Sequence, residues 1–361
     1  MYHNKRRLIL VPAILAALAC GLPPFLTGES SEPATTPVVI GGGGDIAAAA
    51  ALVEEGFAYY YEQDDLDAAG EACGEAADLD PQNPDAYYCL GLVSVAMDDR
   101  DSGREFFTRA IELDPEYAAA YTERGIIYNM DVNFDAALDD LNRAIELDPQ
   151  SCRAYIHRAL NYDGRMNQEA ALADYIQFLT ICPYIETYTP AALERVEALG
   201  GEIPETVGAL MGQGLTYVEQ NDPEAALDAF NRVVALDPEF AQGYFLRGYA
   251  YLMLEDPDLA IEALNEAIVL EPEAAPSYHM RCIAYRDLDR LEEALEDCNQ
   301  AIELDPNYDW VYFSRGAVYE RLGNVDEALA DYNEFLRLAP EAHPDRETAL
   351  ERIEALGGQA P

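Results

Sequence analysis

The chain has 361 residues, a formal net charge of −46 and a sequence pI near 4.1. Half of its residues are hydrophobic, which is enough apolar material for a folded core. Nucleic-acid binding depends on Lys and Arg neutralising phosphates, and only 22 basic residues oppose 68 acidic ones. The composition therefore predicts a folded acidic protein and argues against nucleic acid as a partner.

Residues 1–26 have the pattern of a signal peptide or membrane anchor. Basic residues at positions 5–7 precede the uncharged run Leu8–Ala19, which matches a signal-peptide apolar region in length and is too short for a membrane span. The stretch 17–21 resembles a bacterial lipobox, although Ala17 stands where such boxes usually carry Leu. The resemblance implies lipidation of Cys20, and an uncleaved anchor and simple secretion are the alternatives. We expect an extracytoplasmic protein, tethered to a membrane only through this segment, or else secreted.

Residues 27–46 are rich in Ser, Thr, Pro, Glu and Gly. Such a composition buries too little apolar surface to offset the entropy of ordering the chain. The four glycines at 41–44 are not followed by the Gly-Lys-Ser/Thr of a phosphate-binding loop. This segment is expected to be a flexible linker.

The remaining sequence is periodic, because prolines recur every 34 residues in two sets of four. The sets are Pro81, Pro115, Pro149 and Pro183, then Pro238, Pro272, Pro306 and Pro340. Small residues recur with the same period, where the two helices of one unit must cross closely. On first helices they are Gly91, Gly125, Ala159, Gly248 and Gly316, and on second helices Ala69, Ala137, Ala171, Ala226, Ala260, Ala294 and Ala328.

This pattern resembles the tetratricopeptide-repeat (TPR) family, whose units are 34-residue helical hairpins. The resemblance covers residues 47–358 and implies an all-α fold, an α-solenoid with eight helix-turn-helix repeats in a right-handed superhelix. A shift of 157 residues superimposes 138–149 on 295–306, which indicates a tandem duplication. We therefore expect two four-repeat arrays, 47–201 and 202–358.

Each array is expected to end in a charged capping helix that covers the apolar end of its last repeat. Phe178 and Phe335 replace the usual small residue in these last repeats and are expected to fill a wider gap. Residues 200–206 would then form a hinge. For individual helix starts, Asp222-Pro223 and Asp256-Pro257 predict a cap followed by a first-turn proline, and 289–292 and 324–327 predict capping boxes.

Six cysteines remain beside Cys20, and export would permit disulfides. Cys152 opens the first helix of the fourth repeat and Cys182 follows its second helix, so we expect these two to form a disulfide. Cys73 with Cys89 and Cys282 with Cys298 are further possible pairs. The alternative is that these cysteines are small buried thiols.

The sequence contains no recognisable catalytic or metal-binding motif. It has four histidines, and no His-Glu-x-x-His, Gly-x-Ser-x-Gly or Cys-x-x-Cys pattern. Acidic doublets such as Asp139-Asp140 lack the spacing of a calcium-binding loop and suit a solvated helix face. We expect no enzymatic activity, no metal and no cofactor.

The TPR resemblance implies that a protein or peptide ligand binds the concave face, which first helices line. The family's groove positions fall on Tyr88, Leu92, Ile126, Ile156 and Leu160 in the first array, and on Phe245, Tyr249, Leu252, Met253, His279, Ile283, Arg286, Trp310 and Phe313 in the second. The second set is richer in aromatic residues, which are common at binding hot spots. Packing between neighbouring repeats is the alternative role for these side chains.

The sequence thus predicts a non-catalytic protein–protein interaction scaffold or adaptor at the cell envelope. One alternative is a self-associating structural or envelope-assembly factor, and another is an accessory subunit of an enzyme complex. The oligomeric state stays open.

Overall fold

Short helices of 5 to 14 residues, joined by tight turns, make up the part of the chain that the structure describes, residues 45–63 and 65–358 of a computed structural model. Within these residues there are 18 α-helices and no strands, which confirms the predicted all-α solenoid. None of these helices is long and apolar enough to cross a bilayer. The predicted signal segment, Cys20 and most of the predicted linker lie outside the described residues.

The described chain separates into two compact units between Pro204 and Glu205. We call residues 45–204 array 1 and residues 205–358 array 2. The helices of array 1 are α1 Asp45–Ala58, α2 Leu66–Leu79, α3 Pro84–Ala96, α4 Arg100–Leu113, α5 Ala118–Met130, α6 Phe134–Leu147, α7 Cys152–Gly164, α8 Gln168–Ile181 and α9 Thr189–Ala198. A π-helical turn, Tyr59–Gln63, continues α1. Asp45 and Ile46 of the predicted linker are therefore helical.

Array 2 repeats the same order of four hairpins and one final helix. Its helices are α10 Val207–Glu219, α11 Pro223–Leu236, α12 Ala241–Met253, α13 Pro257–Leu270, α14 Ala275–Asp287, α15 Leu291–Leu304, α16 Asp309–Leu322, α17 Val325–Leu338 and α18 Arg346–Ala355. The final helices α9 and α18 pack on α8 and α17, the last repeat helices of their arrays. Phe178 and Phe335 are fully buried, as expected for residues that fill the space near a cap.

In six of the eight repeats, the two helices cross most closely at a glycine. A Cβ added to Gly125 would lie 2.9 Å from Leu141 Cγ, and one added to Gly248 would lie 2.7 Å from Leu264 Cγ. Real side chains do not tolerate such contacts, so the predicted small positions are confirmed as crossing points. The partner residue lies 16 positions later in each case. The same geometry occurs at Gly91 with Phe107, Gly214 with Phe230 and Gly316 with Tyr332.

The first repeat carries one extra residue, which the regular 34-residue period did not predict. That period would place Phe57 at the crossing, but Gly56 lies there instead, against the sulfur of Cys73. Gly56 precedes Gly91 by 35 residues (56 to 91). The π-helical turn Tyr59–Gln63 absorbs the surplus residue, because a π-helix closes its hydrogen bonds one residue later than an α-helix.

The turn between the two helices of each later repeat contains one residue in the left-handed region. In the last repeat this residue is Gly323, and in the six repeats before it the residue is not glycine. Val132, with φ of 60°, is the least suited, since a β-branched side chain is strained there. Its side chain is 67% exposed, so packing does not offset the strain. The six are Asp98, Val132, Met166, Asn221, Glu255 and Asp289.

Helix N-termini agree with the sequence at two of the four predicted caps. Asp222 and Asp256 accept hydrogen bonds from backbone N–H groups three residues later, which confirms both Asp-Pro starts. The two predicted capping boxes do not form. Arg290, not Asp289, is the N-cap residue of α15, and Asn324 is the N-cap residue of α17 as predicted, but neither side chain makes a cap hydrogen bond.

Four half-buried arginines of first helices form bidentate ion pairs with a buried aspartate of the second helix. Arg281 donates to both carboxylate oxygens of Asp297 at 2.7 Å and also to Asn265 of the preceding repeat at 2.7 Å. Such a pair is stable in the interior only when its hydrogen bonds are complete. The other three pairs are Arg124 with Asp140, Arg158 with Asp174 and Arg315 with Asp331. Each pair thus joins the hairpin of one repeat, and three of the arginines also reach an asparagine of the repeat before.

We predict that Gly248→Leu destabilises array 2 by roughly 1 to 3 kcal/mol, because the new side chain overpacks the crossing with Leu264. Urea unfolding followed by the fluorescence of Trp310, the single tryptophan, measures this. Val269→Leu is the matched control in the same array, since Val269 is 73% exposed in helix α13. Equal stability of Gly248→Leu and the unaltered protein would contradict the crossing.

We predict that Val132→Gly stabilises array 1 by about 1 kcal/mol, because glycine adopts the left-handed conformation without strain. Thermal unfolding followed by circular dichroism measures the change. Val269→Gly is the control, since Val269 is 73% exposed within helix α13 and glycine destabilises a helix interior by about 1 kcal/mol. A loss of stability in both variants would show that the turn is not strained.

Candidate protein-binding surface

First helices of successive repeats contact one another, as α1 and α3 do in array 1 and α12, α14 and α16 do in array 2. We call the surface that the first helices form in each array the first-helix face. The predicted groove residues belong to these helices. Their burial decides how much of each side chain a partner can reach.

Array 1 buries four of its five predicted groove residues between helices. Tyr88, Leu92, Ile126 and Ile156 are 1 to 7% exposed, and Leu160 is 44% exposed. Tyr88 packs at 5.7 Å from the ring of Phe107 on a second helix. Their role in binding stays a prediction, and Leu160 is the one member of the set that is exposed at the surface.

Array 2 also buries most of its predicted groove residues. Phe245, Tyr249, His279, Ile283 and Trp310 are 1 to 8% exposed. Leu252, Met253, Arg286 and Phe313 are partly exposed. Their binding role stays a prediction too. These four partly exposed side chains are the ones available at the surface of the free protein.

His279 is a structural link between two repeats. Its two ring nitrogens lie 3.1 Å from the Tyr308 hydroxyl and 2.8 Å from the Ser314 hydroxyl, so a neutral imidazole satisfies both contacts. Burial, helped by Arg286, lowers the pKa of His279 to about 3. A neutral, buried and fully bonded histidine suits a packing role rather than contact with a ligand.

The end of array 2 encloses Trp310. The ring centroid of Trp310 lies 4.4 Å from that of His343. The His343 centroid also lies 4.9 Å from that of Phe335. Asp345, at the start of α18, is 1% exposed, makes no side-chain cap bond and has one carboxylate oxygen without a hydrogen-bond partner. Burial raises the pKa of Asp345 to about 6. The capping helix therefore begins at a carboxyl group that is costly to ionise.

We predict that stability of the unaltered protein falls as pH rises from about 4 to about 7. The folded-state pKa of Asp345, about 6, exceeds its unfolded value, so the stabilising neutral form is lost over this interval. The side chain of Asp345→Asn cannot ionise. The free energy of unfolding of this variant should therefore exceed that of the unaltered protein by up to about 3 kcal/mol at neutral pH, with little difference near pH 4. Trp310 fluorescence in urea at both pH values measures this. A difference that does not change with pH would contradict it.

Array 1 contains an aromatic cluster that the sequence analysis missed. The ring centroid of Tyr61 lies 6.1 Å from that of Phe57 and 4.8 Å from that of Tyr60. The centroids of Phe57 and Tyr88 are 6.2 Å apart, and those of Tyr88 and Tyr117 are 5.0 Å apart. Tyr117 donates a 2.7 Å hydrogen bond to Asp85. We call Phe57, Tyr60, Tyr61, Tyr88 and Tyr117 the aromatic cluster. The sequence predicts that the groove of array 2 is the richer in aromatic residues, and that comparison leaves out this cluster in array 1.

The extra residue in repeat 1 explains why the cluster was missed. When the crossing residues are aligned, Phe57 takes the place of Leu92 and Tyr249, which were predicted groove residues. Tyr60 and Tyr61 take the places of Leu252 and Met253. The signal that could have revealed this register is the 35-residue spacing from Gly56 to Gly91.

All six cysteines among the described residues lie in disulfides. The Cα–Cα distances are 6.0 Å for Cys73–Cys89, 5.7 Å for Cys152–Cys182 and 5.6 Å for Cys282–Cys298. Cys282 and Cys298 occupy the two crossing positions of their repeat, where most other repeats have glycine and a large residue. Cys152–Cys182 ties the start of α7 to the segment after α8. Within the described residues, no group of three or more His, Cys, Asp or Glu could hold a metal ion.

Comparisons with known families identify the repeats directly. Models described as tetratricopeptide repeat match residues 88–151, 211–279 and 310–342, and a model described as TPR repeat matches residues 59–97 and 284–323. These ranges together cover more than half of the chain. No curated protein sequence matches it.

Several solved structures are similar to this chain at low identity. A chain of the APC/C hetero-tetramer Cut9-Hcn1 is 18% identical, with 85% of this chain and 55% of that chain covered and a TM-score of 0.45. This chain thus spans about half the length of that one. MamA is 22% identical, with 58% and 98% covered and a TM-score of 0.36. Pseudomonas aeruginosa pilF is 16% identical, with 63% and 94% covered and a TM-score of 0.39.

Proposed function

We propose that this chain, which belongs to the tetratricopeptide-repeat family, binds a polypeptide on its first-helix faces while tethered at the cell envelope, and that it catalyses no reaction. Repeats of this family generally bind protein or peptide partners, and the fold supports a protein–protein interaction scaffold. Binding at the first-helix face and location at the envelope are the finer parts of the proposal.

The observation that carries the proposal is the set of apolar and aromatic side chains that both first-helix faces leave accessible. Leu160 and Tyr61 are 44% and 57% exposed in array 1, and Met253 and Phe313 are partly exposed in array 2. Burying such side chains contributes roughly 25 cal/mol per Å² removed from water. A bound segment could therefore gain affinity without unfolding any repeat.

Export to an oxidising compartment is supported by the cysteines. Three disulfides in one chain are typical of secreted or envelope proteins and rare where thiols are kept reduced. The signal-like segment 1–26 and the lipobox-like stretch ending at Cys20 point the same way. Lipidation of Cys20 would tether the folded part through the linker.

Binding is tested by placing a photo-cross-linking amino acid at Leu160 or Phe313 in the full chain, expressed in a bacterial host. We expect polypeptide adducts at these positions. The control position, Val269 on a second helix, is 73% exposed and should give none. Adducts of equal yield at all three positions would contradict binding at the first-helix face. Adducts that contain only a second copy of the chain would favour the self-associating alternative.

Location is tested by fractionation, intact mass and thiol counting of the same protein. We expect a membrane-bound chain that begins at a lipid-modified Cys20 and carries no free thiol in its folded part. A full-length soluble chain with free thiols at Cys152 and Cys182 would contradict export and return the search for a partner to the cytoplasm.

A further inference from the structure

We propose that the aromatic cluster at the start of array 1 docks a Lys- or Arg-rich extended segment of a partner polypeptide. This inference rests on the proposed polypeptide-binding function and names the chemistry of the partner. It is carried by three observations: the continuity of the rings, the way the extra residue presents them, and the charge around them.

The cluster is continuous over three repeats. Tyr61 at its outer end is 57% exposed, Phe57, Tyr60 and Tyr117 are partly exposed, and Tyr88 is buried beneath them. The Tyr61 hydroxyl is also near enough to Tyr117 to contribute to the raised pKa of Tyr117, after burial and Asp85. The rings therefore form one surface rather than isolated side chains.

The one-residue shift in register places two of these rings at positions that belong to the first-helix face in other repeats. Aligned on the crossing glycine, the next first helix has the smaller Val95 and Ala96 where α1 and its turn have Tyr60 and Tyr61. π-helical insertions of this kind are frequent at functional sites. Since Gly56 keeps the crossing intact, the insertion changes this face without changing the packing of the repeat.

The sequence that carries four of the five cluster residues has charge of one sign. Residues 45–99 contain no Lys, Arg or His. Among the acidic residues of this stretch, Glu54, Glu62 and Asp65 are exposed, and Asp85 lies within the cluster at 2.7 Å from the Tyr117 hydroxyl. An acidic segment is repelled here, a neutral apolar one gains only buried area, and a cationic one gains attraction as well.

Tyrosine faces in this protein already hold cations. Arg290 lies 4.4 Å from the ring centroid of Tyr285, and Arg247 lies 4.8 Å from that of Tyr244. A guanidinium or ammonium group within about 6 Å of an aromatic face is attracted by the ring quadrupole. A Lys or Arg side chain of the partner would lie in the same way on Tyr61, with carboxylates such as Glu62 and Asp85 nearby.

The test is isothermal titration of the mature full-length protein with three short peptides of equal length. Each has a Gly/Ser background, with Lys and Arg in the first, Asp and Glu in the second and Leu in the third. We expect the cationic peptide to bind tightest, and high salt to weaken it because the attraction between exposed charges is screened. No binding of the cationic peptide, or tighter binding of either other peptide, would overturn the inference.

Variants then locate the binding. Tyr61→Ala should lower the affinity for the cationic peptide about three- to tenfold. Tyr61→Phe keeps the ring face and should change this affinity less than about twofold. Val269→Ala, an exposed residue of array 2, is the control and should have no effect. Unchanged affinity in Tyr61→Ala would overturn the assignment. If polypeptides cross-link at Leu160 or Phe313 while the cationic peptide fails to bind, the proposed function stands and this inference alone fails.

Discussion

The close crossing of two helices within each repeat is the constraint on which the rest of this structure depends. Where the crossing residue is glycine, it leaves no room for a Cβ, and a residue of the second helix packs directly against it, 16 positions later in the regular repeats and 17 in the first. Interiors are packed tightly enough that this contact fixes the relative position of both helices. The register of every other side chain on the hairpin follows from it, including which residues reach the first-helix face.

Three features that look unrelated are consequences of the same crossing. In the seventh repeat, the disulfide Cys282–Cys298 occupies it and replaces close packing by a covalent bond. In the first repeat, Gly56 keeps it although one residue has been added, so the surplus residue is accommodated in the π-helical turn. The aromatic cluster follows from that shift, because Phe57, Tyr60 and Tyr61 then take the groove positions.

The two arrays have kept one plan but stabilise their ends differently. Array 1 ties the start of α7 to the segment before α9 through Cys152–Cys182. A shift of 157 residues places Asp309 and Ala339 at those positions in array 2. There the Arg346 guanidinium donates to the backbone carbonyls of Leu336 and Ala339, and buried Asp345 starts the cap. The end of array 1 is thus held by a disulfide, whereas the end of array 2 is held by hydrogen bonds and begins at a buried carboxyl group.

The sequence was sufficient for the repeats because their period is set by steric requirements. Proline ends each unit and small residues mark each crossing, so Gly125 and Gly248 could be placed correctly. The extra residue of repeat 1 escaped notice because Ala69 and Pro81, which follow it, keep the regular spacing to the next repeat. The burial of Ile156 and Tyr249 was not predictable either, since a groove position gives the side of a helix and not the cover that neighbouring helices supply.

The register of the first repeat is tested most directly by the stability of Gly56→Ala, with Gly74→Ala in the neighbouring helix as its reference. Our account predicts that Gly56→Ala lowers the unfolding temperature and impairs formation of Cys73–Cys89, because the new methyl group meets the sulfur of Cys73. Gly74→Ala should be at least as stable as the unaltered protein, since alanine favours a helix. If both variants are equally stable and the Cys73–Cys89 disulfide forms in each of them, Gly56 does not lie at the crossing. The assignment of the aromatic cluster to the first-helix face is then wrong.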